Sequence, residues 1–331
     1  MTQLTATQIA ALSTAWLAAL KANGLGNPDS QITVAGYAAF AVYGSPQTGP
    51  TTQLQTTVMC PLGGINATVW DANASGRTLA NTIFDSTDGQ GFIGNVHGDK
   101  VTISNVDLKN LNEGFHYQGC TNLTIAGGGQ IGNVIGRCHL FVDVTNLVWT
   151  GDPAKVFGHA SKQSPIRFDS PGVRGGTITG VRVTQAGSSF PIACWAIHAA
   201  SGVHWLNCEA NGGEFSFNSA GDGTGDSVTS CIVENLTTIN TKLDIGPIAS
   251  NCTVKGGNFN NPTGECVALT CGSGIVIDGA VMHSPKHGVK FYAPSNAIIR
   301  NCTLYAPAGT PIIDGGTPAN DGGGNKLVVT P

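Results

Sequence analysis

The chain has 331 residues, of which 41% are hydrophobic and only 11% charged, and its net charge is −4. That is apolar enough for a core, offers no basic stripe for nucleic acid, and contains no run of about eighteen apolar residues that would cross a membrane. Its 46 glycines suit many tight turns under a polar rather than charged surface.

The first segment predicts a helix. Thr5 with Gln8 makes a capping box, Ile9, Leu12, Trp16 and Leu20 share one face, and Asn23–Gly24 supplies a stop. Such an amphipathic helix would cover the open first coil of a repeat protein, whose exposed end is otherwise a template for aggregation; docking on another subunit or a carrier particle is the alternative. No basic n-region precedes it, so it is not read as a secretory leader. The expectation is an extracellular or virion-associated protein without a visible signal peptide. Residues 1–100 are this cap and an irregular lead-in.

From residue 101 a repeat emerges. VTISNVDL (101–108) and LTIAGGGQI (123–131) are coils, LVWTGD (147–152) is a degenerate one, and TITGVRV (177–183) follows an insertion near 153–175. The pattern is plainest in VHWLNCEA, SVTSCIVENL, CTVKGGNF, GIVIDGAVM and AIIRNCTL, between 203 and 304. A small residue falls at Cys208, Cys231, Gly257, Ala280 and Cys302. Trp205, Val228, Val254, Ile277 and Ile299 stand three places earlier, and Ala210, Val233, Phe259, Met282 and Leu304 two places later. Apolar alternation nested in a coil-length period is the signature of stacked short strands. It predicts an all-β, single-domain parallel β-solenoid over 101–315, with 316–331 as tail or last strand. A second strand per coil runs through FSF, LDI, VAL, VKF and PII, which turns Ser216, Asp244, Ala268 and Lys290 outward. Three of the ten cysteines hold the small inward position and none forms a CxxC pair. Buried thiols acting as small hydrophobes are the favoured reading, although stacked strands about 4.8 Å apart do not exclude a Cys208–Cys231 bridge.

VTISNVDLKNLNEGFHYQGCTNLTI, followed by GIVIDGAVM and AIIRNCTL, resembles the right-handed parallel β-helix superfamily typified by pectate lyases. That superfamily includes polygalacturonase-type hydrolases and bacteriophage tailspike depolymerases, and the resemblance spans residues 85–315. It implies a right-handed coil and a polysaccharide partner lying along a lateral groove. By analogy with the tailspikes it also implies a homotrimer. The hydrolase motifs NTD, DD and RIK are absent, and KHGVKF (286–291) only faintly echoes GHG. The arginine pattern of the lyases and the DPHD element of the epimerases are missing too, so the coil grammar speaks for fold and leaves the activity open.

Glycoside hydrolysis needs two carboxylates, roughly 5 Å apart for retention or 6.5–9.5 Å for inversion. Neighbouring coils offer the first spacing and alternate coils the second. The candidates are Asp244 with Asp222 or Asp226 of the GDGTGDS loop, and Glu214. That loop is equally a Gly-rich turn whose Asp residues serve their own backbone, and calcium held by its oxygens is a further alternative; no other cofactor is expected, and no metal ligand spacing occurs among the eight His. A lyase would need a base and a cation, which His287, Lys290 and Tyr292 could provide. Arg167 and Arg174 would clamp an acidic sugar or pair locally with Asp169, and Trp195 and Tyr292 are candidates to stack on sugar rings. Trp205 reads as core, and Lys255, Asp278 and Arg300 as a stacked surface ion network. The expectation is a hydrolase of a bacterial surface polysaccharide. A uronate-specific lyase and a non-catalytic adhesive solenoid are the alternatives.

Overall fold

A computed structural model describes the chain from residue 75, apart from 77, 87–90, 110, 131–133, 160–162, 186–192, 219–224 and 331; before residue 75 it describes the strands Ala39–Tyr43 and Val58–Pro61. The expected cap helix lies outside the described residues. The described chain is an all-β parallel solenoid of about nine turns, and its one helical segment there is the short 3-10 turn Pro318–Asn320. It divides into two compact units, Met1–Gln163 and Ser164–Pro331.

The first unit opens with antiparallel pairing. Ala39–Tyr43 runs against both Val58–Pro61 and Thr78–Ser86. From Thr78–Ser86 onward the strands are parallel, and Ile103, Ile125 and Trp149 stack in one column. The expected spacing from Ile103 to Ile125 is therefore a true coil repeat, and Trp149 continues it through the degenerate coil. Beside that column Phe115 and Tyr117 pair with His139 and Phe141. Phe115, Tyr117, His139, Phe141 and Trp149 are all buried, and the Tyr117 hydroxyl lies 3.2 Å from His139 Nδ1. Burial drives the His139 pKa down to about 3, so this imidazole is a neutral core group.

The coils of the second unit carry three or four short strands each. The unit's innermost column is Ile178, Trp205, Val233, Val254, Ile277 and Ile299, each at most 1% exposed. One expected register shifts here. Leu206 pairs with Glu234 and Glu209 with Thr237, so the residue level with Cys208 is Leu236, and Cys231 belongs one corner earlier. SVTSCIVENL contains two apolar alternations five residues apart, and the sequence reading chose the one with Val233 two places past the small residue. The true register places Thr238 there, fully buried, with its Oγ1 accepting the Asn260 backbone N–H at 3.3 Å. A polar residue in a core column broke the pattern.

The small residue also marks a corner rather than the middle of a strand. Asn207, Asn235 and Asn301 precede it at φ of 54°, 53° and 54°, with Gly256 and Gly279 at the equivalent places. Asn and Gly are the residues that enter this left-handed region cheaply. Asn235 Nδ2 donates to Asn207 Oδ1 at 3.2 Å, which links one corner to the next. Cys208, Cys231 and Cys302 are buried free thiols, as expected.

Candidate functional site

The strand that closes successive coils of the C-terminal unit is Phe215–Phe217, Leu243–Ile245, Val267–Thr270, Val289–Ala293 and Ile313–Asp314. Register places Ser216, Asp244, Ala268, Lys290 and Asp314 in a single column; the alignment of the first four is as expected from the sequence, but Ser216, Asp244 and Ala268 are buried there, and only Lys290 and Asp314 are partly exposed. Just before three of these strands stand Glu214, Lys242 and Glu265. They line a cleft of about 250 Å³ whose remaining walls are Gly212, Gly213, Asn240, Thr241, Asn261, Thr263 and Gly264.

Inside it Lys242 Nζ lies 3.4 Å from Glu214 Oε1 and 3.4 Å from Glu265 Oε1. The two carboxylate oxygens therefore stand no more than about 7 Å apart, close enough for both to face one bound group. Their backbones sit two coils apart, and the intervening lysine draws the side chains together. Tyr292 adds a third contact. The pairing of Val267–Thr270 with Val289–Ala293 slips between Leu269 and Thr270, where Leu269 pairs with Phe291 and Thr270 with Ala293. Tyr292 is thus the extra residue, and a bulge of this kind re-aims its side chain. The ring is 56% exposed while its hydroxyl donates to Glu265 Oε1 at 3.1 Å.

Electrostatics separates the two glutamates. Burial raises the Glu214 pKa, with Lys242 pulling the other way and Asp244 and Glu265 adding to the rise. Glu265 also feels burial, but its own backbone amide, Lys242 and Tyr292 outweigh it and hold its pKa below the usual value. Burial acts to lower Lys242, yet Glu214, Asp244 and Glu265 together keep it raised and protonated. Two facing carboxyl groups whose proton affinities are pushed in opposite directions are the elements of acid–base chemistry.

Asp244 lies below this cluster. It is 7% exposed, with Asn218 Nδ2 donating to its Oδ2 at 2.9 Å and Ser216 Oγ at 3.4 Å. Further along, Lys290 is paired with Asp314, which also lies 3.6 Å from His287 Nδ1. Lys290 Nζ stands 5.9 Å from the Tyr292 ring centroid. That pair shifts both partners toward charge: Asp314 raises Lys290, and Lys290 lowers Asp314.

The remaining expectations fare differently. Trp195 is corrected: it is fully buried with its Nε1 donating to the Glu209 carbonyl at 3.2 Å, so no sugar reaches it. Its ring packs at a tilt against Phe215, with centroids 5.6 Å apart, inside the core. Arg167 pairs locally, Nε to Asp169 Oδ1 at 2.5 Å, and Arg174 is exposed. Neither lines the cleft, and neither does the half-buried Asp226. Asp222 lies outside the described residues. Lys242 and Glu265 were missed. Their signal was a charged residue one or two places ahead of FSF, LDI and VAL in successive coils, a column at a corner rather than on a strand.

No family model matches the chain, and no curated protein matches it. A solved structure described as Geobacillus virus E2 ORF18 matches at a TM-score of 0.52 and 10% identity over 78% of this chain. This chain spans 54% of that protein's length, and the likeness shows the fold alone. The catalytic unit of a GH87 α-1,3-glucanase from Streptomyces thermodiastaticus strain HF3-3 matches at 12% identity, covering 77% of this chain and 61% of its own, but with a TM-score of 0.33 it says nothing further.

Proposed function

We propose that this chain acts on carbohydrate, as a glycoside hydrolase of a surface polysaccharide, with Glu214 as general acid and Glu265 as base or nucleophile. One observation carries the reading: carboxylates from alternate coils converge on Lys242 in an open polar cleft, and an exposed tyrosine donates into one of them. Glu214 would give its proton to the leaving glycosidic oxygen. Glu265 would attack the anomeric carbon or take a proton from the attacking water. Lys242 and Tyr292 keep Glu265 ionised and aimed, and the Tyr292 ring offers a sugar a face to rest on. Asp244 becomes a supporting charge beneath the acid rather than the leading catalytic group.

The test is incubation with a panel of neutral and acidic polysaccharides, following both reducing ends and absorbance near 235 nm. The expected result is new reducing ends without ultraviolet absorbance, abolished in Glu214→Gln and in Glu265→Gln. Absorbance together with reducing ends would replace the hydrolase by a lyase. Binding without cleavage would make the protein an adhesive solenoid.

A further inference from the structure

We infer that the cleft takes glycans that carry no carboxylate and turns uronate-bearing ones away. This rests on the hydrolase reading and names its substrate class. With Glu214 protonated as the general acid, the walls of the cleft hold one carboxylate, Glu265, against one ammonium, Lys242, and so leave no cation over; the rest is amide, hydroxyl and glycine. Around it Asp244 and Asp314 add two more acids and Lys290 one more base.

Both ammonium groups are already engaged. Lys242 lies between Glu214 and Glu265, and Lys290 is held by Asp314. A sugar carboxylate entering here would meet an excess of its own charge and could gain a cation only by breaking an existing pair. A partly buried site makes that repulsion costly, because the charges are poorly screened. Sugar hydroxyls have no such difficulty. The Asn240 and Thr263 side chains at the wall are of the kind that bind them, and the carboxylates themselves accept hydroxyl hydrogen bonds. The cations on which the acidic-sugar expectation leaned, Arg167 and Arg174, are not part of the cleft.

The experiment is to measure affinity of the full chain for matched oligosaccharide pairs, each a neutral glycan and its C6-oxidised uronate form, at low and high salt. The expected result is about tenfold or greater preference for the neutral member, narrowing as salt rises. Asp314→Asn, which releases Lys290, should strengthen binding of the uronate member by about threefold or more and leave the neutral member unchanged. Equal or tighter binding of the uronate member by the intact chain, with reducing ends still produced, would overturn the inference and leave the hydrolase standing. If neither member of any pair is bound or cleaved, the carbohydrate reading itself falls and the inference with it.

Discussion

Two charged ladders run along the C-terminal unit, and they have become different things. On one, Glu234, Lys255, Asp278 and Arg300 alternate in sign from coil to coil. Each finds its opposite next door, Lys255 Nζ to Glu234 at 3.3 Å and Arg300 to Asp278 at 2.9 Å, with Lys255 63% and Arg300 49% exposed. On the other, Ala268 interrupts the column between Asp244 and Lys290. Asp244 turns to Asn218 and Lys290 to Asp314, while Glu214, Lys242 and Glu265 gather at the adjoining corner with unequal surroundings. Regular alternation in water neutralises itself. A broken column with burial leaves charges whose protonation is set by environment, which is what catalysis needs.

The sharpest way to separate the ladders is activity. Glu214→Gln and Glu265→Gln should each lower turnover by about 10²–10⁴-fold, whereas Asp278→Asn should leave it unchanged; equal losses would erase the distinction drawn here. The pH profile should be bell-shaped, its alkaline limb displaced upward because burial raises Glu214, and its acid limb displaced downward because Glu265 is lowered by its own backbone amide, Lys242 and Tyr292. Stability follows the same signs. Glu214, raised in the folded state, contributes stability that is fully present below the unfolded pKa and lost as pH rises through its folded value. Glu265, lowered, contributes stability present above the unfolded pKa and lost as pH falls through its folded one. Melting curves of Glu214→Gln across pH 4 to 8 should lack the first decline.

The shared frame beneath both ladders is the next target. Ile277 is fully buried in the innermost column, and Ile277→Ala should cost about 2–5 kcal/mol by denaturant unfolding. Asn207→Ala should cost about 1–2 kcal/mol, because it forces alanine into the left-handed corner and removes the bond from Asn235. Asn207→Gly restores the backbone freedom and should recover part of that loss, which separates the corner's conformational cost from its side-chain bond.

How much of this was legible beforehand depends on how regular each feature is. The solenoid and the shared column of Ser216, Asp244, Ala268 and Lys290 followed from alternation, because strand geometry has a period of two and tolerates few exceptions; the burial of the first three did not. The register of one coil did not. Thr238 stands where an apolar residue was expected, and its burial depends on a neighbour's backbone that no local pattern reveals. Glu214 was among the candidates, but Lys242 and Glu265 were not. Their meeting requires long side chains to reach across a coil from a corner, and Glu265 is one place out of line with Glu214 and Lys242 relative to the strand each precedes. Trp195 went astray for a related reason, since an apolar aromatic near a polar strand looks the same in sequence whether it faces in or out.

The smallest expected effect is the most discriminating for the first ladder. Arg300 brings two nitrogens to one oxygen of Asp278, Nε at 3.0 Å and a terminal nitrogen at 2.9 Å from Oδ2, and Asn301 Nδ2 donates to the other, Oδ1, at 2.9 Å. Asp278 is held below the usual carboxylate range chiefly by those hydrogen bonds. Arg300 is half exposed and Asp278 partly so, so Arg300→Ala should cost only about 0.2–1 kcal/mol at low salt and less as salt rises. Asn301 would still hold Asp278, and the corner at Asn301 would be untouched. If Arg300→Ala instead proved as costly as a core truncation, or if its cost ignored salt, the ladder would be structural in a way exposure does not predict. The contrast between the two ladders would then rest on position along the coil and not on solvent.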